Sequence, residues 1–325
     1  VFSMSYVMVA AFLSYLVINL RHYLLERDQK GFVTAAFGQY LSPDVVDALV
    51  KDPSKMSLGG ESREMTAFFS DVASFSTISE KLTPAELVGL LNEYLTAMCD
   101  IIAETGGTID KFEGDAIIAF WGAPLEQPDH AVRACYSIID QQKFLVPFRQ
   151  EQIDKGWLPV DFTVRMGVNT GMMIVGNMGS SQRMDYTMMG DSVNLAARLE
   201  GANKFYKNHQ MISESTYEQA KDFIDTRELD TIRVVGKNEP VTVYDVLDRK
   251  NQTTGVMADV VPIYLQGLQK YKEMDFVGAQ QLFRKALTVL EGDGPSITYV
   301  DRCQHFIDNP PEADWDGVWT HTEKG

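Results

Sequence analysis

From Val1 to Leu20 the chain carries no charged residue, and the run from Tyr6 to Ile18 is almost wholly apolar. About 20 uncharged residues are enough to span a bilayer as a helix. Arg21, His22 and Arg27 follow at once, and the positive-inside rule puts that end in the cytoplasm. A signal peptide would carry its basic residues before the apolar run, which leaves a buried core helix as the alternative. The pattern therefore predicts a transmembrane helix over 1–21, attachment to an inner or plasma membrane, and a cytoplasmic remainder. Because the chain begins at Val1 and not at Met, it reads as the end of a longer protein, with room for an upstream sensor domain. In 22–58, Phe32, Phe37, Tyr40 and Leu41 share a face, Ser42-Pro43-Asp44 opens a short helix, and Asp52-Pro53 breaks it. That segment reads as a coupling helix and linker, or as a plain spacer.

From 59 to 250 the period changes repeatedly between two and 3.6, which marks a mixed domain. Met65 to Ser70 is a short apolar strand ending in Asp71. Thr83-Pro84-Ala85-Glu86 is a capping box with Pro at the first helical position. The helix it opens carries Leu87, Leu90, Leu91, Tyr94, Leu95, Met98 and Ile101, and stops at Gly106-Gly107. Thr108 to Phe112 and Asp115 to Trp121 read as two strands joined by a tight turn at Glu113-Gly114. A second helix spans Asp129 to Asp154. Val160 to Asn169 and Met172 to Val175 read as another strand pair, Asp191 as the cap of a helix through Lys204, and Arg233 to Val235 and Val241 to Val246 as further strands. The order strand, helix, hairpin, helix, strand predicts an α+β fold, a ferredoxin-like (palm-type) antiparallel sheet covered by helices.

Composition narrows the function. Lys plus Arg number 29 against 45 Asp plus Glu, a net charge of −16. With a sequence pI near 4.7, nucleic acid is excluded as a general partner, since a phosphate backbone needs a basic face. Cys99, Cys135 and Cys303 are scattered without a CxxC pair, which excludes a zinc ribbon and a disulfide scaffold.

Three stretches carry candidate chemistry. Asp71 ends a buried strand and Asp115 follows a hairpin turn, so the two carboxylates could converge at one sheet edge. At about 4 Å they would repel by roughly 4 kcal/mol at an effective dielectric of 20. A divalent cation relieves that repulsion, and oxygen ligands select Mg²⁺ or Mn²⁺. Ala73, Ser74, Phe75 and Ser76 form a helix start whose backbone N–H groups suit phosphate oxygens. Asn194 and Arg198 stand four apart, on one helix face, a pairing suited to ribose and phosphate.

Taken together these residues resemble the class III nucleotidyl (adenylate/guanylate) cyclase family. Phe68-Phe69-Ser70-Asp71-Val72-Ala73-Ser74-Phe75-Ser76 is similar to its first metal motif. Lys111-Phe112-Glu113-Gly114-Asp115 is similar to its second, Gly190-Asp191-Ser192-Val193-Asn194-Leu195-Ala196-Ala197-Arg198 to its transition-state motif, and Gly236 through Tyr244 to its closing strand pair. The resemblance covers about Glu61 to Leu247. It implies an enzyme that converts ATP to 3′,5′-cyclic AMP and pyrophosphate. Two divalent ions (Mg²⁺ or Mn²⁺) would sit on Asp71, Asp115 and the Val72 carbonyl. Asn194 would position the ribose and Arg198 would stabilise transition-state charge. Lys111 stands where adenylate cyclases carry the Lys that reads adenine. Thr187, seven positions before Asn194, marks the Thr-containing subclass, which includes bicarbonate-responsive members. The resemblance also implies a homodimer with two shared sites: Asp71 and Asp115 serve one, while Lys111, Thr187, Asn194 and Arg198 serve the other. A guanylate cyclase and an inactive dimerising module are the rival readings. Two departures stand out: many members have Gly where Ser74 stands, and many have Lys where Val235 stands, leaving Lys237 as a candidate phosphate contact.

Residues 256–325 differ in character. Tyr264, Gly267, Leu268, Tyr271, Phe276, Ala279, Phe283, Ala286 and Leu287 outline a helical hairpin that resembles one tetratricopeptide repeat. One repeat cannot bury its own face, so it must pack on a third helix near Ile297 to Ile307, on the preceding domain or on another subunit. Pro310-Pro311 to Trp319 reads as a strap that docks aromatic residues.

Overall fold

The computed structural model describes residues 59–156, 162–180, 182–233, 240–312 and 314–319, together with Tyr15 and Arg21. The chain divides into two compact units, Val1–Leu58 and Gly59–Gly325. In the first, Tyr15 and Arg21 are helical; the expected coupling segment lies outside the described residues. Among the described residues no helix is long and apolar enough to cross a membrane. The expected transmembrane helix, the fold class that contained it and the location at an inner or plasma membrane are corrected accordingly. A span needs about 20 apolar residues in one helix. The long helices found here are one-sided instead: the 25-residue helix His130–Asp154 carries Arg133, Asp140, Lys143, Arg149 and Glu151. The rest of the uncharged run 1–20 lies outside the described residues.

The second unit contains one eight-stranded sheet, ordered β2-β3-β1-β4-β6-β8-β7, with β5 paired to β4. The strands are β1 Gly59–Val72, β2 Thr108–Glu113, β3 Ala116–Trp121, β4 Val164–Gly179, β5 Met184–Met189, β6 Gln210–Ser213, β7 Ile224–Ile232 and β8 Val241–Arg249. The helices are α1 Phe75–Ser79, α2 Pro84–Glu104, α3 His130–Asp154, α4 Asp191–Tyr206, α5 Glu214–Ala220, α6 Val256–Lys272, α7 Phe276–Val289 and α8 Gly294–Asp308. The α+β expectation holds, but the sheet is mixed: β4 and β6 run parallel. The cause is the helical crossover α4 between them, since parallel neighbours need a long connection.

Local signals place several elements as expected. Thr83 caps α2 through a full capping box with Glu86, and Pro84 opens the helix. Two expectations need correction. Residues 164–179 form one 16-residue strand and not a hairpin. Its partner β1 is equally continuous, with paired residues from Gly59↔Asn177 to Val72↔Val164. Gly190, not Asp191, is the N-cap of α4, at φ 136°.

The main core lies between the sheet and the helix pair α2/α3, where Phe68, Tyr94, Trp121, Phe148 and Phe162 are buried. The three C-terminal helices have their own aromatic core around Tyr264, Tyr271, Phe283 and Tyr299. They dock on the sheet edge: Tyr264 and Tyr299 both donate to the Leu229 carbonyl, at 3.1 and 2.8 Å. The Trp315 ring packs against Tyr271, Phe276 and Phe306, and Trp319 bridges to Ile232 of β7.

Candidate active site

The site grows from the C-terminal end of β1. Asp71 is paired in register with Arg165 of β4, and the Arg165 guanidinium donates to Asp71 Oδ2 at 2.5 Å. The same guanidinium donates to Glu200 of α4 at 2.9 Å. Asp115 follows the turn at Gly114, where φ is 68°. Because Ser70 of β1 pairs with Ile117 of β3, the turn brings Asp115 beside the end of β1, where the Val72 N–H donates to Asp115 Oδ2 at 3.0 Å. The structure thus brings Asp71, Val72 and Asp115 together, with the Val72 N–H, not its carbonyl, making the contact to Asp115.

Electrostatics mark this cluster as short of positive charge. Burial pushes the Asp115 carboxyl up, against the pull of the Val72 N–H, and the neighbouring Asp71 pushes it further. Burial also raises Glu200; Arg165 opposes this, and the charges of Asp71 and Asp115 reinforce it. One guanidinium therefore pairs with two of three neighbouring carboxylates, and Asp115 has the Val72 N–H but no cation among the described residues. No group of three or more His, Cys, Asp or Glu with metal-holding geometry exists among the described residues. Mg²⁺ is usually held by one or two carboxylates, completed by water and substrate phosphate oxygens, and the Asp71/Asp115 pair suits that mode. Arg165, a cation already seated on Asp71, supports the fit. Arg165 and Glu200 escaped the motif reading; the only sequence signal was an Arg inside the otherwise apolar strand 164–168.

In the expected phosphate loop, Ser74 stands at φ 58°, a left-handed conformation that favours Gly. The Ala73 N–H is taken by the Thr163 carbonyl at 2.8 Å, so Ala73 offers no backbone donor. Phe75 and Ser76 remain at the open first turn of α1.

Helix α4 lies directly on β4. A Cβ at Gly167 would come within 2.2 Å of the Glu200 nitrogen, so only Gly permits this contact. Asn203 donates to the Met166 carbonyl at 2.9 Å and Asn169 to the Ser192 carbonyl at 2.7 Å. With Glu200 turned to the sheet, Arg198 lies about 200° around the helix axis. Asn194 is exposed, and Arg198 Nη1 is buried with no hydrogen-bond partner among the described residues.

Lys111 and Thr187 meet through a residue that the motifs did not single out. A bulge interrupts the β2–β3 pairing between Ile109 and Lys111, so Asp110 is the extra residue and its side chain is re-aimed. Thr187 of β5 donates to Asp110 Oδ2 at 2.5 Å, and Lys111 Nζ lies 3.4 Å from Asp110 Oδ1. Burial pushes the Asp110 carboxyl up, while Thr187 and Lys111 oppose it. Lys237 lies outside the described residues. Phe112, Met172, Ile174 and Met189 expose a group of apolar side chains on β2, β4 and β5.

The comparisons agree with this architecture. Residues 60–247 match the family described as the adenylate and guanylate cyclase catalytic domain. "Adenylate cyclase 1" of Rhizobium meliloti is 38% identical over 185 residues, which is 57% of this chain and 28% of that protein. The terminal-differentiation-specific adenylate cyclase of Dictyostelium discoideum is 31% identical over 288 residues, covering 86% of this chain and 13% of that protein. The chain thus spans well under half the length of these relatives. The crystal structure of the adenylyl cyclase CyaB from P. aeruginosa superposes with a TM-score of 0.56 at 39% identity, covering 61% of this chain and all of that one. A guanylyl cyclase structure gives the same TM-score at 36% identity, over 61% of this chain and 98% of its own. The matched segment holds the sheet from β1 to β8, both carboxylates and the whole of α4, and on that ground the chain belongs to the class III adenylate and guanylate cyclase catalytic-domain family.

Proposed function

We propose that this protein is an adenylate cyclase acting as a homodimer, with each site drawn from both chains. The observation that carries the reading is the carboxylate pair Asp71 and Asp115, gathered at the C-terminal end of β1, where the Val72 N–H holds Asp115, and short of positive charge. In the reaction the ribose 3′-oxygen bonds to the α-phosphorus, the α–β bridging bond breaks, pyrophosphate leaves, and the hydroxyl proton passes to water. Divalent ions (Mg²⁺ or Mn²⁺) bound by Asp71 and Asp115 would supply charge neutralisation and a lowered pKa at the 3′-hydroxyl. Asn194 orients the ribose. Arg198 brings a guanidinium whose Nη1 has no hydrogen-bond partner among the described residues to the α-phosphate, a contribution worth about 10³ to 10⁵ in rate in phosphoryl transfer. Lys111 donates to adenine N1 and Thr187 accepts from the adenine amino group. Ser74, Phe75 and Ser76 border the phosphates.

Two observations support a shared site. Arg198 stands about 200° around α4 from Glu200, the residue that reaches Arg165 beside Asp71, a placement that favours a second chain to bring Arg198 and an Asp71 cluster together. The exposed apolar face formed by Phe112, Met172, Ile174 and Met189 is suited to cover by a second copy. Asp71→Ala and Arg198→Ala should each be nearly inactive. Mixed under subunit exchange, they form a heterodimer with one intact site, and activity should return. Mixing that restores nothing overturns the shared site. The guanylate alternative has the structural likeness described above behind it, and Lys111 against it, because an ammonium meets the N1–H donor of guanine. Turnover of GTP equal to that of ATP overturns the adenylate reading.

A further inference from the structure

A threonine hydroxyl both donates and accepts hydrogen bonds. Alone it cannot tell the C6 amino group of adenine from the C6 carbonyl of guanine, because it can rotate to suit either. In this protein the hydroxyl is not alone. Thr187 Oγ1 lies 2.5 Å from Asp110 Oδ2. Lys111 Nζ approaches the other oxygen at 3.4 Å. The Asp110 side chain is 2% exposed, and it occupies the one bulge in the β2–β3 pairing. An ionised carboxylate accepts only, and both side chains around this one are donors.

We propose that Asp110 is a positioning residue for base selection: it accepts the hydrogen bond donated by the Thr187 hydroxyl and so fixes the hydroxyl as an acceptor toward the substrate. The inference rests on the adenylate reading and deepens it. With the proton committed to Asp110, the Thr187 lone pairs face the ligand. An adenine amino group donates into them, whereas a guanine carbonyl meets lone pair with lone pair. A site built to bond a donor rejects a substrate that lacks it far more strongly than an apolar pocket does. The bulge explains the geometry. Regular alternation would send Asp110 and Lys111 to opposite faces of β2. The extra residue lets both reach the end of the sheet where β5 presents Thr187. Thr187 is 77 positions away in sequence, so no motif spacing announces the pair.

The test is the ratio of kcat/KM for ATP to that for GTP, measured on the full chain with Mn²⁺. Both substrates see the same active molecules, so a reduced folded fraction leaves the ratio unchanged. Asp110→Asn and Asp110→Ser free the hydroxyl to rotate and should lower the ratio at least tenfold, chiefly through a higher KM for ATP and a gain with GTP. In a Thr187→Val background the same Asp110 substitutions should leave the ratio unmoved, since the hydroxyl on which they act is gone. If Asp110→Asn and Asp110→Ser reduce ATP and GTP turnover equally, Asp110 is structural and the inference falls. If they still change the ratio without the hydroxyl, Asp110 acts by another route and the inference also falls. A wild-type protein with no preference for ATP overturns the adenylate reading itself, a result distinct from the other two.

Discussion

Two clusters of charge sit on the same sheet, one at the strand ends of the central pair β1 and β4 and the other on the edge strand β7, and they are built to opposite ends. At the tail, Arg227 holds Asp245 at 2.8 Å and Asp293 at 2.7 Å, and Arg302 holds Asp230 at 2.6 Å. Arg227 is 3% exposed and Arg302 4%. Their carboxylates take further donors: Asp293 accepts from the Ser296 N–H at the start of α8, and Asp230 from the Tyr206 hydroxyl. Burial alone would lower the Arg227 pKa, but the charges of Asp245 and Asp293 outweigh it and hold the guanidinium charged. This network is closed. The Asp71 cluster is open: Arg165 shares itself between two carboxylates while Asp115 has an N–H and no cation. Fully satisfied buried polar networks rigidify a fold, whereas a carboxylate beside a like charge and without a cation favours one supplied from solution. The difference separates a structural joint from a functional site without reference to any motif.

The largest expected effect breaks the open cluster. Asp71→Ala should reduce cyclase turnover by about 10³-fold or more, judged by the scale of single groups in phosphoryl transfer. It should change thermal stability without divalent ions by little, because the lost Arg165 pairing, which Glu200 still supplies in part, is offset by removal of a like charge beside Asp115. In the wild type a divalent ion at about 100 times its Kd should add roughly 2.7 kcal/mol, and Asp71→Ala should lose that gain, as read by melting with Mn²⁺ and with chelator. A large loss of stability in the metal-free variant would place Asp71 in the structural class.

The next effect breaks the closed network. Arg227→Met leaves Asp245 and Asp293 buried without their cation and should cost about 3–5 kcal/mol, measured by urea unfolding. The ATP-to-GTP preference of the remaining folded protein should not change, because neither carboxylate touches the base-reading residues.

His130 sharpens the contrast, as a buried titratable group that neither cluster uses. Its Nδ1 lies 2.8 Å from the Thr66 hydroxyl, which also meets Thr170. Burial lowers its pKa from 6.5, against the charges of Glu64 and Asp129. A depressed folded-state pKa contributes stability that is present above the unfolded value and lost as pH falls toward the folded one. The melting temperature should therefore begin to fall below about pH 6.5, and His130→Gln should flatten that part of the profile. Smallest of all, Ser74→Gly should stabilise by about 0.5 kcal/mol. Relief of the left-handed conformation is partly offset by the greater chain entropy of Gly. Ser74→Ala should give no such gain.

Much of the domain was legible in the sequence because the signals are local. The Thr83 box, the Gly106-Gly107 stop and the Glu113-Gly114 turn each act within a few residues, and each appears where it was expected. The motifs named Asp71, Asp115, Lys111, Thr187, Asn194 and Arg198, and the structure places them as a carboxylate pair at the end of β1, a Lys111–Thr187 pair meeting at Asp110, and two positions on α4. The uncharged run 1–20 misled for a related reason: hydropathy counts residues, and among the described residues none forms a helix able to span a membrane. Residues 164–179 misled because Gly171 reads as a turn until a 14-residue partner strand pairs straight across it.

The sequence by itself determined the family, the order of elements and the residue types at the reacting end. The tertiary structure alone decided which charges meet. Arg165 reaches Asp71 across 94 positions and Thr187 reaches Asp110 across 77. Strand pairing sets those encounters, through a register built by whole-sheet packing. Local spacing carries no information about it, since a shift of one residue would send every side chain to the opposite face.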